Sequence, residues 1–302
     1  MEKTDPIRFR SAQEFMDRPL WRNDVNPATL NPERIIGDYE FTEAEALTCG
    51  LSGCHREHWH GFVVATRDGF ETHIGRDCAK RHCGLNWGEL QSQFRKETED
   101  RDRRLWLDEM LALRDTMRAE VISLAQAVDA VTQEVKSVLD QIHKERDIDK
   151  AFRDAQRSGG AIKVERYVDK DTAERMGLKE HQRNQLEVVG SIASIGVTIP
   201  AHGSSTLPGK RIFLALKDQA IPVLNGLSAE GLRNLSHRKR QEKTAEVERT
   251  RDAIANAKQH LAAAKRFLDP ENLKNIGKFE IQHPSQRAAR ILRRFATGSD
   301  DL

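Results

Sequence analysis

Four cysteines carry the clearest chemistry in this chain. They fall in two pairs of C-x4-C form, Cys49 with Cys54 and Cys78 with Cys83, and they are the only cysteines among the 302 residues. Inside a reducing compartment, paired cysteines favour a metal over a disulfide. Zn²⁺ takes thiolates in a tetrahedron at about 2.3 Å, two from one turn and two from a second. The run Cys49-Gly50-Leu51-Ser52-Gly53-Cys54 has the glycines that a ligand-bearing knuckle needs. Cys78 and Cys83 fall at an expected helix start behind Asp77 as N-cap, where the helix dipole also favours thiolate. His82 is an alternative to Cys83 as fourth ligand, because it stands four residues after Cys78 on the same helical face. The expected cofactor is Zn²⁺ in a closed, structural site.

Three histidines stand beside the first pair. His58 and His60 share one face if residues 57–61 are extended, and with His55 and Glu57 they could form an open catalytic metal site. The chain has no H-E-x-x-H motif, P-loop, G-x-S-x-G or G-x-G-x-x-G to support catalysis. A zinc-dependent hydrolase using the His55 to His60 cluster is therefore the third reading, behind two non-enzymatic ones.

The elements between the cysteine pairs follow from the pattern. Phe62 to Ala65 reads as a strand, Arg67-Asp68-Gly69 as a tight turn, and Phe70, Thr72 and Ile74 as the alternating return strand. The order knuckle, hairpin, helix-borne pair resembles the treble-clef zinc fingers over residues 49–83, on the strength of Cys49, Cys54, Cys78 and Cys83. The resemblance implies a module that stabilises a fold and binds nucleic acid or protein, and that is rarely catalytic.

The rest of the chain must hold this module. Residues 1–87 form an N-terminal arm and the zinc module, with an irregular lead-in to about residue 40 and a short helix near 11–16. Residues 88–157 form a first helical arm. Val121, Leu124, Val128, Val131, Val135, Val138 and Ile142 step by threes and fours, a heptad seam. A helix of about 70 residues spans roughly 105 Å and needs a partner along that stripe. Residues 227–268 supply one, since Val247, Thr250, Ile254, Ala257, Leu261, Ala264 and Leu268 repeat the stepping. The expectation is an antiparallel coiled coil with Val121 near Leu268 and Ile142 near Val247. Pairing with a second copy is the competing solution, so the chain is a monomer with an intramolecular coiled coil or a homodimer.

Residues 158–226 read as a small α+β tip. Strands are expected at 162–168, 186–199 and 212–216, helical turns at 171–177 and 222–235, and a loop at 202–205. Residues 269–302 carry a last amphipathic helix near 285–295 and a disordered tail. The fold class is thus α+β, mostly α, with an N-terminal zinc-stapled β-hairpin module, a long antiparallel coiled-coil stalk and a small α+β tip subdomain.

The net charge is only +2, so any polyanion partner must be met by local patches. Three basic clusters qualify, the run before the second arm and the last helix ahead of the one at the zinc helix. Arg76, Lys80 and Arg81 flank the zinc helix. Arg238, Lys239, Arg240 and Lys243 precede the second arm. Arg287, Arg290 and Arg294 line the last helix. No signal peptide and no apolar run long enough for a membrane stand out, so the expected setting is cytoplasmic. The first functional expectation is a non-enzymatic zinc-finger and coiled-coil binding protein that contacts nucleic acid or a nucleoprotein complex. The second is a protein-binding adaptor or inhibitor.

Overall fold

The computed structural model describes residues 5–84, 86–193, 207–281 and 284–298. The chain is α+β and mostly helical, and it divides into two compact units, Met1–Leu111 with Ala229–Thr244, and Ala112–Ser228 with Ala245–Leu302.

The first unit begins with β1 (Ile7–Phe9), α1 (Ala12–Met16) and β2 (Pro32–Glu40). A short pair follows, β3 (Leu47–Thr48) with β4 (Glu57–His58), then β5 (His60–Thr66), β6 (Glu71–Gly75), α2 (Arg76–His82) and the start of α3 (Trp87–His143). The main sheet has the order β1-β2-β5-β6. The expected hairpin is its β5–β6 half. Gly69 takes φ +82 in the turn, and the Thr66 N–H donates to Phe70 O at 2.9 Å. An antiparallel ladder runs from Gly61 opposite Gly75 to Ala65 opposite Glu71.

β2 corrects the expected irregular lead-in. The prolines of that stretch looked like breakers, but Pro32 opens the strand, where a missing N–H costs little. Ile35 and Ile36, as successive strand residues, serve opposite faces, and the register shift between Ile35 and Gly37 brings Tyr39 onto the face of Ile36. Ile35 packs with Phe62, Val64, Ile74, Trp87 and Phe94, and Ile36 packs with Phe9, Phe15, Tyr39 and Val63. Burial on both faces explains why Phe62-Val63-Val64 is an unbroken apolar run. Gly37 must lack a side chain because a Cβ there would strike the Ile7 carbonyl.

In the same unit, α8 (Ala229–Arg233) leads to α9 (His237–Leu268). Arg240 of α9 is 8% exposed and donates to Asp100 of α3 and to Leu235 O. His237 also reaches Asp100, at 3.1 Å.

The second unit contains the later turns of α3 and α9 together with the chain between them. α4 (Arg146–Arg157), β7 (Ala161–Tyr167), α5 (Lys170–Arg175), β8 (Asn184–Ser191), α6 (Pro208–Leu214) and α7 (Ile221–Asn225) come before α9, and α10 (Pro270–Lys274) and α11 (Gln286–Thr297) after it. The heptad seam is buried, with Val121, Val128, Val131, Val135 and Ile142 all under 9% exposed. The expected single arm to residue 157 is interrupted at Lys144-Glu145. Ile148 and Phe152 of α4 then enter the same core as Val131 to Ile142.

The sense of pairing differs from the expected antiparallel one. Glu120 meets Lys258 at 2.6 Å, and the later turns of α3 share a core with Ala264 and Phe267 at the end of α9. The two helices therefore advance together, in parallel. The return run that makes this work is the stretch expected to hold a strand at 212–216. It is helical instead, α6 passing through a π turn at Ala215–Ala220 into α7. Leu216, Ala220, Leu224 and Leu227 are each 0–1% exposed, a helical rather than an alternating period. Gly209 of α6 lies against Thr132 of α3 and His260 of α9, so closely that a Cβ would strike the Thr132 hydroxyl. At the other end, Arg114 donates to Leu227 O at 3.1 Å. The antiparallel partner of α3 is thus α6–α7.

β7 and β8 form a two-stranded antiparallel sheet, Ala161 opposite Ser191 to Tyr167 opposite Asn184. The expected strand at 194–199, the loop at 202–205 and the last residues of the tail lie outside the described residues. α11 runs from its Ser285 cap to Gly298, which takes φ +66.

Candidate metal centre and its basic surround

Three sulfurs converge in the first unit. The Sγ atoms of Cys49, Cys54 and Cys78 all lie within 4.8 Å of one another, and Cys54 Sγ is 3.3 Å from Cys78 Sγ. A zinc tetrahedron with bonds of about 2.3 Å has edges of about 3.8 Å, so this donor set fits the ion expected from the sequence. Among the described residues, no other group of histidine, cysteine and carboxylate side chains gathers in this way.

The local backbone explains the convergence. β3 and β4 pair Leu47 with His58 and Thr48 with Glu57, which closes the knuckle at its base. The Cys49 N–H donates to Arg56 O at 2.9 Å and the Cys54 N–H to Leu51 O at 3.2 Å. Gly53 and His55 both take left-handed φ, +71 and +48. His55 is a strained choice there, since a residue with a Cβ rarely adopts that region. Gly50 lets the loop lie on β6, where a Cβ would come 2.6 Å from His73 O. Gly75, rather than the expected Asp77, is the N-cap of α2, because β6 runs straight into the helix. The absent side chain of Gly75 also leaves room for the ring of His58.

Backbone N–H groups point at the sulfurs. Those of Leu51 and Gly75 favour the Cys49 thiolate, and that of Arg56 favours the Cys54 thiolate. Burial dominates at Cys49 and still raises its thiol. At Cys54, burial is outweighed by the Arg56 N–H and by hydrogen bonds from Cys78 and Cys49, so its thiol falls below the usual range. Burial and the bond to Cys54 push the Cys78 thiol up to about 12. The three thiols are close enough to compete for the same protons.

Cys83 and His82, the two candidates for a fourth ligand, stand at the end of α2, and neither lies within 4.8 Å of all three sulfurs. Cys83 is half-buried against the same core as Cys49 and Cys78. Burial and the charge of Cys49 push its thiol up to about 11.

Two positioning residues were not legible in the sequence. Tyr39 is 1% exposed, and its hydroxyl lies 3.0 Å from His58 Nδ1. His73, equally buried, donates from Nε2 to Thr48 O at 2.8 Å, directly before Cys49. Its Nδ1, and the Nε2 of His58, are buried without a hydrogen bond. Burial, with His73 beside it, pulls the His58 imidazole down to about 4. His60 turns elsewhere, to Glu40 at 3.2 Å, and His55 is exposed.

No protein family, curated protein or solved structure matches this chain. Arg56, Arg76, Lys80 and Arg81 are exposed around the sulfur cluster and make no ion pair with a carboxylate among the described residues. In the other basic clusters one guanidinium is committed to the fold and the rest stay at or near the surface. Arg240, expected at the surface, is inside with Asp100 because its guanidinium ties α9 to α3. Arg238 pairs with Glu242 at 3.0 Å, Lys239 is exposed and Lys243 is half-buried. On α11, Arg287 pairs with Glu145 at 3.3 Å, Arg290 is exposed and Arg294 is half-buried. No described helix is long and apolar enough to cross a membrane.

Proposed function

We propose that the first unit is a zinc-stapled module that binds nucleic acid without catalysing a reaction on it, in the cytoplasm, where its four free thiols would stay reduced. Cys49, Cys54 and Cys78 would hold the ion, with Cys83 as the fourth thiolate. The ion would fix the knuckle to α2 and supply no chemistry beyond that. Support for zinc comes from the three converging sulfurs and the N–H groups aimed at them.

One observation carries the nucleic-acid reading. Arg56, Arg76, Lys80 and Arg81 stand exposed on the knuckle and on α2, the two elements the ion would clamp, and no carboxylate neutralises them among the described residues. Phosphate contacts need cations held in place and left free. A gel shift with zinc-loaded protein across a salt series tests this. Lys80→Glu with Arg81→Glu is expected to weaken binding at least about tenfold and to flatten the salt slope by about 2, while Arg290→Glu changes little. Binding absent at low salt, or indifferent to salt, would overturn the reading.

A second reading has its own support in the other unit. Tyr167, Leu186 and Val188 are 64, 65 and 59% exposed, and their cross-strand pairing sets them on one face of the β7–β8 sheet. Exposed apolar side chains interleaved with Lys163 and Glu165 on one face suit a protein partner. It becomes the leading account if no nucleic acid binds at low salt.

A further inference from the structure

A cleft of about 490 Å³ opens beside the sulfur cluster, between the strand pair that carries the knuckle and the start of α2. Arg56, Trp59, His60, Arg76, Asp77 and Cys78 are among the residues that line it. Its size suits a single nucleotide unit.

The lining is unusual within this chain. Trp59 is 36% exposed, whereas Trp87 is buried and Trp21 and Trp106 are half-buried. The indole stands 5.7 Å from the ring of His60, and Glu40 holds His60 at 3.2 Å. The wall is thus aromatic and braced. Arg56 comes from the knuckle and Arg76 from α2, and neither has a carboxylate partner among the described residues. Asp77 and Glu57 add acceptors, which the exocyclic amino groups of bases can satisfy. Two free guanidiniums beside an open aromatic face form a site for a phosphate and an unstacked base together. A duplex hides its base faces, so only a single strand can use both features.

Resting on the nucleic-acid reading, we infer that this cleft seats one nucleotide of a single strand, with its base stacked on Trp59 and its phosphate between Arg56 and Arg76. Trp59 would supply preference for single strands, while the α2 cations would bind any polyanion.

Tryptophan fluorescence of the zinc-loaded full chain tests this, titrated with an unstructured oligonucleotide of about a dozen nucleotides, its duplex, and a mononucleotide. The oligonucleotide is expected to quench the fluorescence. Trp59→Ala should abolish the quench and weaken single-strand binding about tenfold, leave duplex binding within about twofold, and keep its zinc; Trp59→Phe should retain most of the affinity. If the wild-type chain binds no nucleic acid at all, the nucleic-acid reading itself falls, and this inference with it. If nucleic acid binds but Trp59→Ala leaves single-strand affinity unchanged, or weakens single strand and duplex alike, only the inference about the cleft falls. A mononucleotide that binds as tightly as the oligonucleotide would also overturn the single-strand assignment.

Discussion

Cys54 and Cys78 are 24 residues apart in the chain and 3.3 Å apart in space. One sulfur ends the knuckle and the other lies in the first turns of α2, with the β5–β6 hairpin between them. Everything proposed for the first unit depends on this contact, because it joins the surface of the knuckle to that of the helix. Two uncharged thiols at this distance attract only weakly. A cation between them and Cys49 would turn the contact into the strongest tie in the unit.

The part-buried pair Asp100–Arg240 joins α3 to α9 in the first unit. The Arg240 side chain is 9% exposed and the Asp100 side chain 25%. Asp100→Asn would leave the guanidinium inside with the Leu235 carbonyl and no counter-charge. A loss of about 3 kcal/mol is expected, read from urea denaturation of the zinc-loaded protein. Lys239→Ala, one residue away and exposed, should change stability by less than about 0.5 kcal/mol. Equal effects from the two changes would show that Arg240 is not held as described.

Parallel pairing of α3 with α9 makes a prediction that needs no mutation. Glu120 and Lys258 form an ion pair at 2.6 Å. Carbodiimide coupling of the monomeric protein, followed by peptide mapping, should recover a link between these two residues. Antiparallel pairing would bring residue 120 near the far end of α9, and its cross-links would join Glu120 to Lys265 or its neighbours instead.

His58 should make stability depend on pH. Its ring is held neutral down to about 4 in the folded chain, against about 6.5 when unfolded. The unfolded chain therefore binds the proton first. The contribution of His58 is complete above about pH 6.5 and is lost as the pH falls towards 4. With partial exposure discounted, the loss is about 1–2 kcal/mol. His73, lowered chiefly by burial, acts in the same direction. Denaturation midpoints at pH 7.5 and 5, with excess zinc, should converge in His58→Gln relative to the wild type. An unchanged difference would contradict the assignment.

How far the sequence foretold the structure depended on how local the information was. The knuckle, the hairpin turn at Asp68-Gly69, the seam from Val121 to Ile142 and the last helix near 285–295 are all set by residues a few positions apart. Each can be read from spacing and turn chemistry. β2 was missed because its pairing is non-local and Pro32 masked its start. The run Ile212 to Leu216 is too short to separate a strand from a buried helix by periodicity. Only Ala220, Leu224 and Leu227, further on, reveal the helical spacing. The direction of α9 followed from that misreading, because a helical return run was needed to bring the chain back before α9 could advance beside α3. At the site, spacing found the cysteines. It could not find Tyr39 and His73, whose role comes from their burial behind the knuckle. Nor could it show that Arg240 is inside and Arg56 free.

The central claim is that the cysteine cluster holds one structural zinc. Elemental analysis of protein purified from zinc-replete cells, beside Cys78→Ser and His60→Gln variants, tests it most directly. The account predicts about one zinc per chain in the wild type and in His60→Gln, and loss of that zinc together with a collapse of the first unit in Cys78→Ser. A wild-type chain with far less than about one zinc, or a Cys78→Ser variant that keeps its full complement, would contradict it.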